Sequence, residues 1–318
     1  MSPAPDPAAV DPRFGDIQTM FFLIGGQKCG TTWLHRYFFE HPEIATPLWK
    51  ETNYWASVEG LDHSANLRRA YEKTKPTFKK IVSGLLGKRG AVDRNFERSV
   101  KLCHRALQSP GVPHSLYADA LFMSETPETL AIGESCPQYS LLSSDTFRQM
   151  FTLSPNGRFI YIMRDPVQRV ISGIKHTLRA EHGRQGVKSE MIEARLSNIA
   201  KPNWFHTQMT SYHDNIRRLE AVVPPDRIAY FFFEDLFKQE TVGAICDFLG
   251  VSHHPANLEK RVNADPRPQI GVSEAAERKV YAAFEPVYKA ITARFGDAVP
   301  EAWYQTMERL SVEPAQHA

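Results

Sequence analysis

The chain has 318 residues, 42% hydrophobic and 23% charged, with 38 Lys and Arg against 36 Asp and Glu for a net charge of +2. That composition is ordinary for a globular protein of one large α/β domain or two small ones. The near balance of charge argues against a nucleic-acid partner, and no apolar run has the length of a membrane span.

The first stretch, "MSPAPDPAAVDPRFGD", is rich in Pro, Ala and Asp. With no basic region ahead of an apolar one, it does not read as a secretory leader. It reads as a disordered lead-in over residues 1–16, and the expected location is cytoplasmic. The four cysteines, Cys29, Cys103, Cys136 and Cys246, form no C-x-x-C pair, so reduced thiols are expected rather than a disulfide framework or a metal site.

"MFFLIGG" (Met20 to Gly26) is a continuous apolar run closed by glycines, which suits a strand buried on both faces of a parallel sheet. A helix is expected from Thr31, with Trp33, Leu34, Tyr37 and Phe38 on one face. "HPEI" ends it, because the residue before a proline disfavours the helical region. From about residue 57 to 117 no strand pattern occurs, and the segment reads as a helical or loop-rich insertion. "RFIYIMRDP" begins a second strand-to-helix unit. Phe159 to Met163 is the strand, Pro166 suits a first helical turn, and Val167, Val170, Ile171, Ile174 and Leu178 form an apolar stripe. "RIAYFFFEDL" is a third strand, followed by a helix around Val242 to Leu249, and Glu274 to Phe295 reads as a further helix. Strands alternating with helices imply a mainly parallel sheet in one domain spanning 17–318.

The stretch "FFLIGGQKCGTTWL" (Phe21 to Leu34) nearly matches a nucleotide phosphate loop, G-x-x-x-x-G-K-[ST]. Its lysine, however, is Lys28 inside the loop, and Thr31 stands where the pattern needs lysine. Backbone N–H groups of a glycine loop at a helix start form an anion site. Gly25, Gly26 and Gly30 permit close approach, Lys28 adds a point charge, and Thr31 and Thr32 offer hydroxyls. The alternative is a plain glycine turn with a capping threonine and a surface lysine. In a magnesium-dependent kinase an Asp ends a second apolar strand. Here Asp165 follows Arg164, which suggests anion binding without a metal.

"QKCGTTWL" resembles the 5′-phosphosulfate-binding loop of the sulfotransferase family, and "YIMRDPVQRVISGIKH" resembles its 3′-phosphate motif, an arginine followed eight residues later by a serine. Weaker likenesses cover most of the chain: "HPEI…KETNYW", "IGESCPQYS", "YFFFEDLF" and "RVNADPRP". The resemblance implies a phosphate-loop, three-layer α/β sandwich with a central, mainly parallel sheet flanked by helices. It implies transfer of a sulfuryl group from 3′-phosphoadenosine 5′-phosphosulfate (PAPS) to a hydroxyl or amine, leaving 3′,5′-bisphosphoadenosine, with no metal. The acceptor would be a small molecule, a carbohydrate or a lipid-like alcohol. The cofactor contacts it implies are Gln27, Lys28, Cys29, Gly30, Thr31, Thr32, Trp33 (against adenine), Arg164, Ser172 and Arg267.

Glu51, in the KE segment, is the expected general base, and Lys28 the group facing the charge that develops on the leaving oxygen. Rival assignments are an ion pair of Glu51 with Lys50, and a histidine base, with His176 ahead of His206 and His213. Phe233 stands where many family members have tyrosine. Ser135 and Cys136 depart from the Lys-(Ser/Thr) of glycosaminoglycan enzymes. Two other readings stay open: a metal-dependent kinase of the phosphate-loop kind, and a non-catalytic nucleotide-binding module on the same fold. Acceptor contacts are expected from residues 55–117 and 179–212, whose aromatics include Tyr71, Phe78, Phe96, Tyr117, Trp204 and Phe205.

Overall fold

The computed structural model describes residues 10–61, 64–75, 91–183, 186–259 and 270–311, without the side chains of 91–93. Five strands form one sheet: β1 (Thr19–Leu23), β2 (Ile44–Ala45), β3 (Ala131–Ser135), β4 (Gly157–Met163) and β5 (Ile228–Phe232). Their order is β2-β3-β1-β4-β5, and every neighbouring pair is parallel. In chain order the helices are α1 (Arg13–Asp16), α2 (Thr31–Glu40), α3 (Tyr54–Val58), α4 (Ala65–Thr74), α5 (Ala91–Gln108), α6 (Ser115–Leu121) and α7 (Ser144–Thr152). They continue with α8 (Pro166–His182), α9 (Ser189–Arg195), α10 (Phe205–Thr210), α11 (Tyr212–Glu220), α12 (Gln239–Leu249), α13 (Glu274–Phe295) and α14 (Glu301–Ser311).

Met20–Leu23 of β1 and Phe159–Met163 of β4 are continuous apolar runs because both faces are covered. Met20, Phe22 and Ile24 of the β1 run join Phe159, Tyr161 and Met163 of β4 in one core, against α8, α11 and α13. The alternate residues Phe21, Leu23, Ile160 and Ile162 join a second core under α2 and α12. Side chains of a strand alternate between its faces, so two helical layers sandwich the sheet, the three-layer architecture expected.

One expectation changes, and one strand appears that no sequence pattern announces. The lead-in drawn as 1–16 stops earlier, because Phe14 of α1 is wholly buried against Tyr117 and Phe122. Asp11 pairs with Arg13, and Arg13 with Asp119. The strand β3, sequence AIGES, has no apolar run to announce it, yet it lies next to β1. Its Gly133 sits opposite Phe21, and a Cβ there would stand 2.1 Å from the Phe21 carbonyl oxygen. Gly133→Ala should therefore force β1 and β3 apart and cost about 2–3 kcal/mol. A urea midpoint matching wild type would show that the strands have slack.

The parallel register puts the carboxyl ends of β1, β3 and β4 along one edge of the sheet. Leu23 lies opposite Ser135 on one side and Ile160 on the other. Ligands of open parallel sheets bind at this edge.

Candidate active site

Beyond β1 the chain still pairs with β4: Ile24 N–H donates to the Ile160 carbonyl at 2.9 Å and Gly26 N–H to Ile162 at 3.0 Å. It then leaves the sheet in a tight turn in which Lys28 takes a left-handed φ of 73° and Cys29 N–H donates to the Gly26 carbonyl at 3.2 Å. Gly30, at φ 83°, is the N-cap of α2 and makes no side-chain cap. A side chain there would be strained and would meet Leu236 at 2.5 Å. The amides of Thr31 and Thr32 open the helix with no preceding turn to accept their hydrogens, so the positive end of α2 points out of the loop.

Arg164 follows the last residue of β4. Its Nη1 donates to the Lys28 carbonyl at 3.1 Å, and its guanidinium lies 4.2 Å from the centre of the Phe233 ring. The phenyl ring at 233 thus serves as a platform for the arginine rather than as a hydroxyl donor. Asp165 makes no pair with Arg164. It is buried, caps α8 through Gln168 N–H at 2.9 Å and accepts from the Tyr288 hydroxyl at 2.8 Å. The Arg164 Nε is buried and has no partner among the described residues, and neither has the Gln27 Oε1. Ser172 lies two turns along α8, half-buried.

The segment carrying Glu51 reaches the loop from the other side. Glu51 has φ 63° and Asn53 φ 57°, left-handed values that a non-glycine residue holds only when its surroundings fix them. Glu51 N–H donates to the Ser135 carbonyl at 3.2 Å, and Asn53 Nδ2 donates to the Glu51 carbonyl at 3.0 Å. Thr52, between them, gives its hydroxyl to Glu134, a wholly buried carboxyl on β3 that also accepts from Tyr139 at 3.0 Å and from Tyr117. Burial raises the Glu134 pKa, and no lysine or arginine pairs with it among the described residues. Lys50 joins the two halves of the site: its Nζ lies 2.8 Å from Glu51 Oε1 and 3.4 Å from Thr31 Oγ1.

These side chains leave a surplus of positive charge. The Lys28 pKa is held below its ordinary value by burial, then by the charges of Arg164, Arg179 and Lys50. Glu51 is the carboxylate among them. An anion at the loop relieves that repulsion, and the donor set (a lysine, an arginine, the helix start and hydroxyls) is the kind that holds phosphate or sulfate oxygens.

Several expected residues behave differently. Cys29 is wholly buried, its thiol pushed up to about 12 by burial, so its side chain does not face a ligand. Trp33 is 6% exposed, stacked on Tyr37 and edge-on to Phe237; packing consumes most of the ring expected to meet adenine. Arg267 lies outside the described residues, as does Phe78. Tyr117 belongs to the core, and Tyr71 stacks on His104 at 3.7 Å.

Among the histidines, His206 is buried, takes a hydrogen bond from the wholly buried Arg169 at 3.0 Å and has its pKa pushed down to about 3 by burial. It is a structural acceptor. His213 sits 3.5 Å from Asp214. His176 is exposed, yet its imidazolium is disfavoured by partial desolvation and by Lys28, while Glu51 favours it; it shares the site with both. Lys50, read from sequence only as a partner for Glu51, was the main omission. A lysine beside a glutamate looks like a surface pair, and its reach to Thr31 depends on the fold.

Residues 18–264 match the family described as Sulfotransferase domain. Among solved structures, a sulfotransferase from Alicyclobacillus acidocaldarius superposes with a TM-score of 0.60 at 20% identity, over 89% of this chain and 98% of that one. The sulfotransferase domain of the Synechococcus PCC 7002 olefin synthase gives 0.47 at 17% identity, over 99% of each chain. A comparison with curated proteins found no match.

Proposed function

The chain belongs to the sulfotransferase family, and from that premise we propose that it moves a sulfuryl group from PAPS to a hydroxyl or amine of its acceptor, with Glu51 as general base. The observation that carries this reading is the convergence of Lys28, Lys50 and Arg164 on the start of α2, with one carboxylate, Glu51, among them. PAPS supplies the sulfuryl group and a 5′-phosphate that leaves.

The chain supplies the rest. The loop amides, Thr31 and Thr32 hold anionic oxygens at the helix start. Arg164, braced by Phe233, grips the 3′-phosphate together with Ser172. Glu51 takes the proton of the acceptor as its oxygen or nitrogen bonds to sulfur. Lys28 faces the negative charge that grows on the departing phosphate, and Lys50 holds the Glu51 carboxylate toward the loop.

The test is nucleotide binding. 3′,5′-Bisphosphoadenosine should bind without added metal and raise the melting temperature by mass action. Arg164→Ala should weaken it by about 2–3 kcal/mol, the scale of a charge-assisted hydrogen bond, and hardly alter binding of the analogue lacking the 3′-phosphate, as titration calorimetry would read. Equal stabilisation by ATP with magnesium, or an equal loss for both nucleotides, would reject the assignment.

A further inference from the structure

The charge of this chain is unevenly placed. Residues 64–108 hold twelve of the 38 Lys and Arg but three of the 36 Asp and Glu, a net of +9 against −7 for the remainder. On α5 the cations Arg94, Arg98, Lys101 and Arg105 recur at i, i+4, i+7 and i+11, which gathers them within an arc of about 60° along roughly 16 Å of helix. All four are exposed, while Val100, Cys103 and Ala106 on the other side are buried. With Glu97 and Leu102 they line one shallow groove. Arg98, Lys101 and Arg105 have no ion pair among the described residues. The neighbouring α4 packs along α5, Tyr71 stacking on His104, and adds exposed Arg68, Arg69 and Lys73.

We propose that the α4–α5 face docks the protein on an anionic lipid bilayer. Four to eight cations clustered on an amphipathic helix match a layer of acidic headgroups. Among the described side chains of 64–108, eight cations stand against Glu72 and Glu97, and that local surplus turns this face toward such a plane. A protein partner fits less well, since interfaces between proteins centre on apolar and aromatic residues and are depleted of lysine, whereas the middle of this stripe is charge. Val100, Cys103 and Ala106 are spent inside the protein, and Phe96, 43% exposed, lies across the helix from the stripe, so the contact is electrostatic rather than insertive and falls with salt. On that inner side Ser99 accepts from Trp49 N–H at 3.0 Å, and Trp49 is two residues from Glu51, so the docked helix also braces the site.

Sedimentation with lipid vesicles tests this. The full chain should pellet with vesicles of phosphatidylcholine containing a third phosphatidylglycerol at low salt, release at high salt, and ignore pure phosphatidylcholine. The triple variant R98E/K101E/R105E should lose on the order of 100-fold in partitioning, from about 1 kcal/mol per cation, with circular dichroism and urea midpoint unchanged. If that variant misfolds, R98Q/K101Q/R105Q serves with the same readout. Equal partitioning of a folded variant and wild type overturns the proposal. So does the absence of vesicle binding by a chain that heparin retains through the same three residues, which would assign the face to a soluble polyanion.

Discussion

Replacing Glu51 by glutamine is expected to lower turnover by roughly 10²–10⁴, the span associated with a lost general base. The amide keeps the shape of the side chain and the left-handed backbone that Asn53 and Ser135 hold, but it cannot accept a proton. Affinity for 3′,5′-bisphosphoadenosine should stay within a few-fold, because the carboxylate serves the acceptor side. His176→Ala is the control, since that imidazole shares the field of Lys28 and Glu51. Near-normal turnover in Glu51→Gln together with abolished turnover in His176→Ala would move the base from the glutamate to the histidine.

Lys28→Ala should lower turnover by about 10²–10³, the scale of removing one donor aimed at developing charge. Unlike Glu51→Gln, it should weaken nucleotide binding as well, because its charge faces the anion both before and during transfer. Two features keep that loss from being general damage. The Lys28 contact to Arg164 is made by its carbonyl, which alanine retains, although alanine at φ 73° carries some strain. A Lys28→Gly variant relieves the strain and should show the same loss of turnover. Recovery of activity in the glycine form would mean that backbone geometry, not charge, was lost.

Much of this site was legible because its parts sit where strands end. The apolar runs of β1 and β4 announce themselves, and Lys28 and Arg164 follow them directly, so strand periodicity and a phosphate-loop pattern suffice. The third strand, β3, was hidden. Its Gly133, Glu134 and Ser135 are dictated by the close approach of Phe21 and by bonds to Thr52, Tyr117, Tyr139 and His35, of which only Tyr139 lies nearby in sequence. Trp33 illustrates the opposite failure. A motif assigns it to a ligand, while the packing of Tyr37 and Phe237 claims most of its surface. The buried pair of Arg169 and His206 is 37 positions apart, beyond any local pattern.

The Glu134 carboxyl ties three parts of the chain to one buried point: Thr52 from the segment of Glu51, Tyr139 after β3, and Tyr117 from the insertion. An uncompensated carboxyl in such a place tolerates the loss of a hydroxyl poorly. The insertion is therefore free to diverge only in part. The outer faces of α4 and α5 can be recharged, whereas the inner face of α5 is tied to Trp49 through Ser99 and α6 is bound to the same anchor as the proposed base. Remodelling of this chain is thus constrained on both sides of the join between α5 and α6, through Ser99 on Trp49 and through Tyr117 on Glu134.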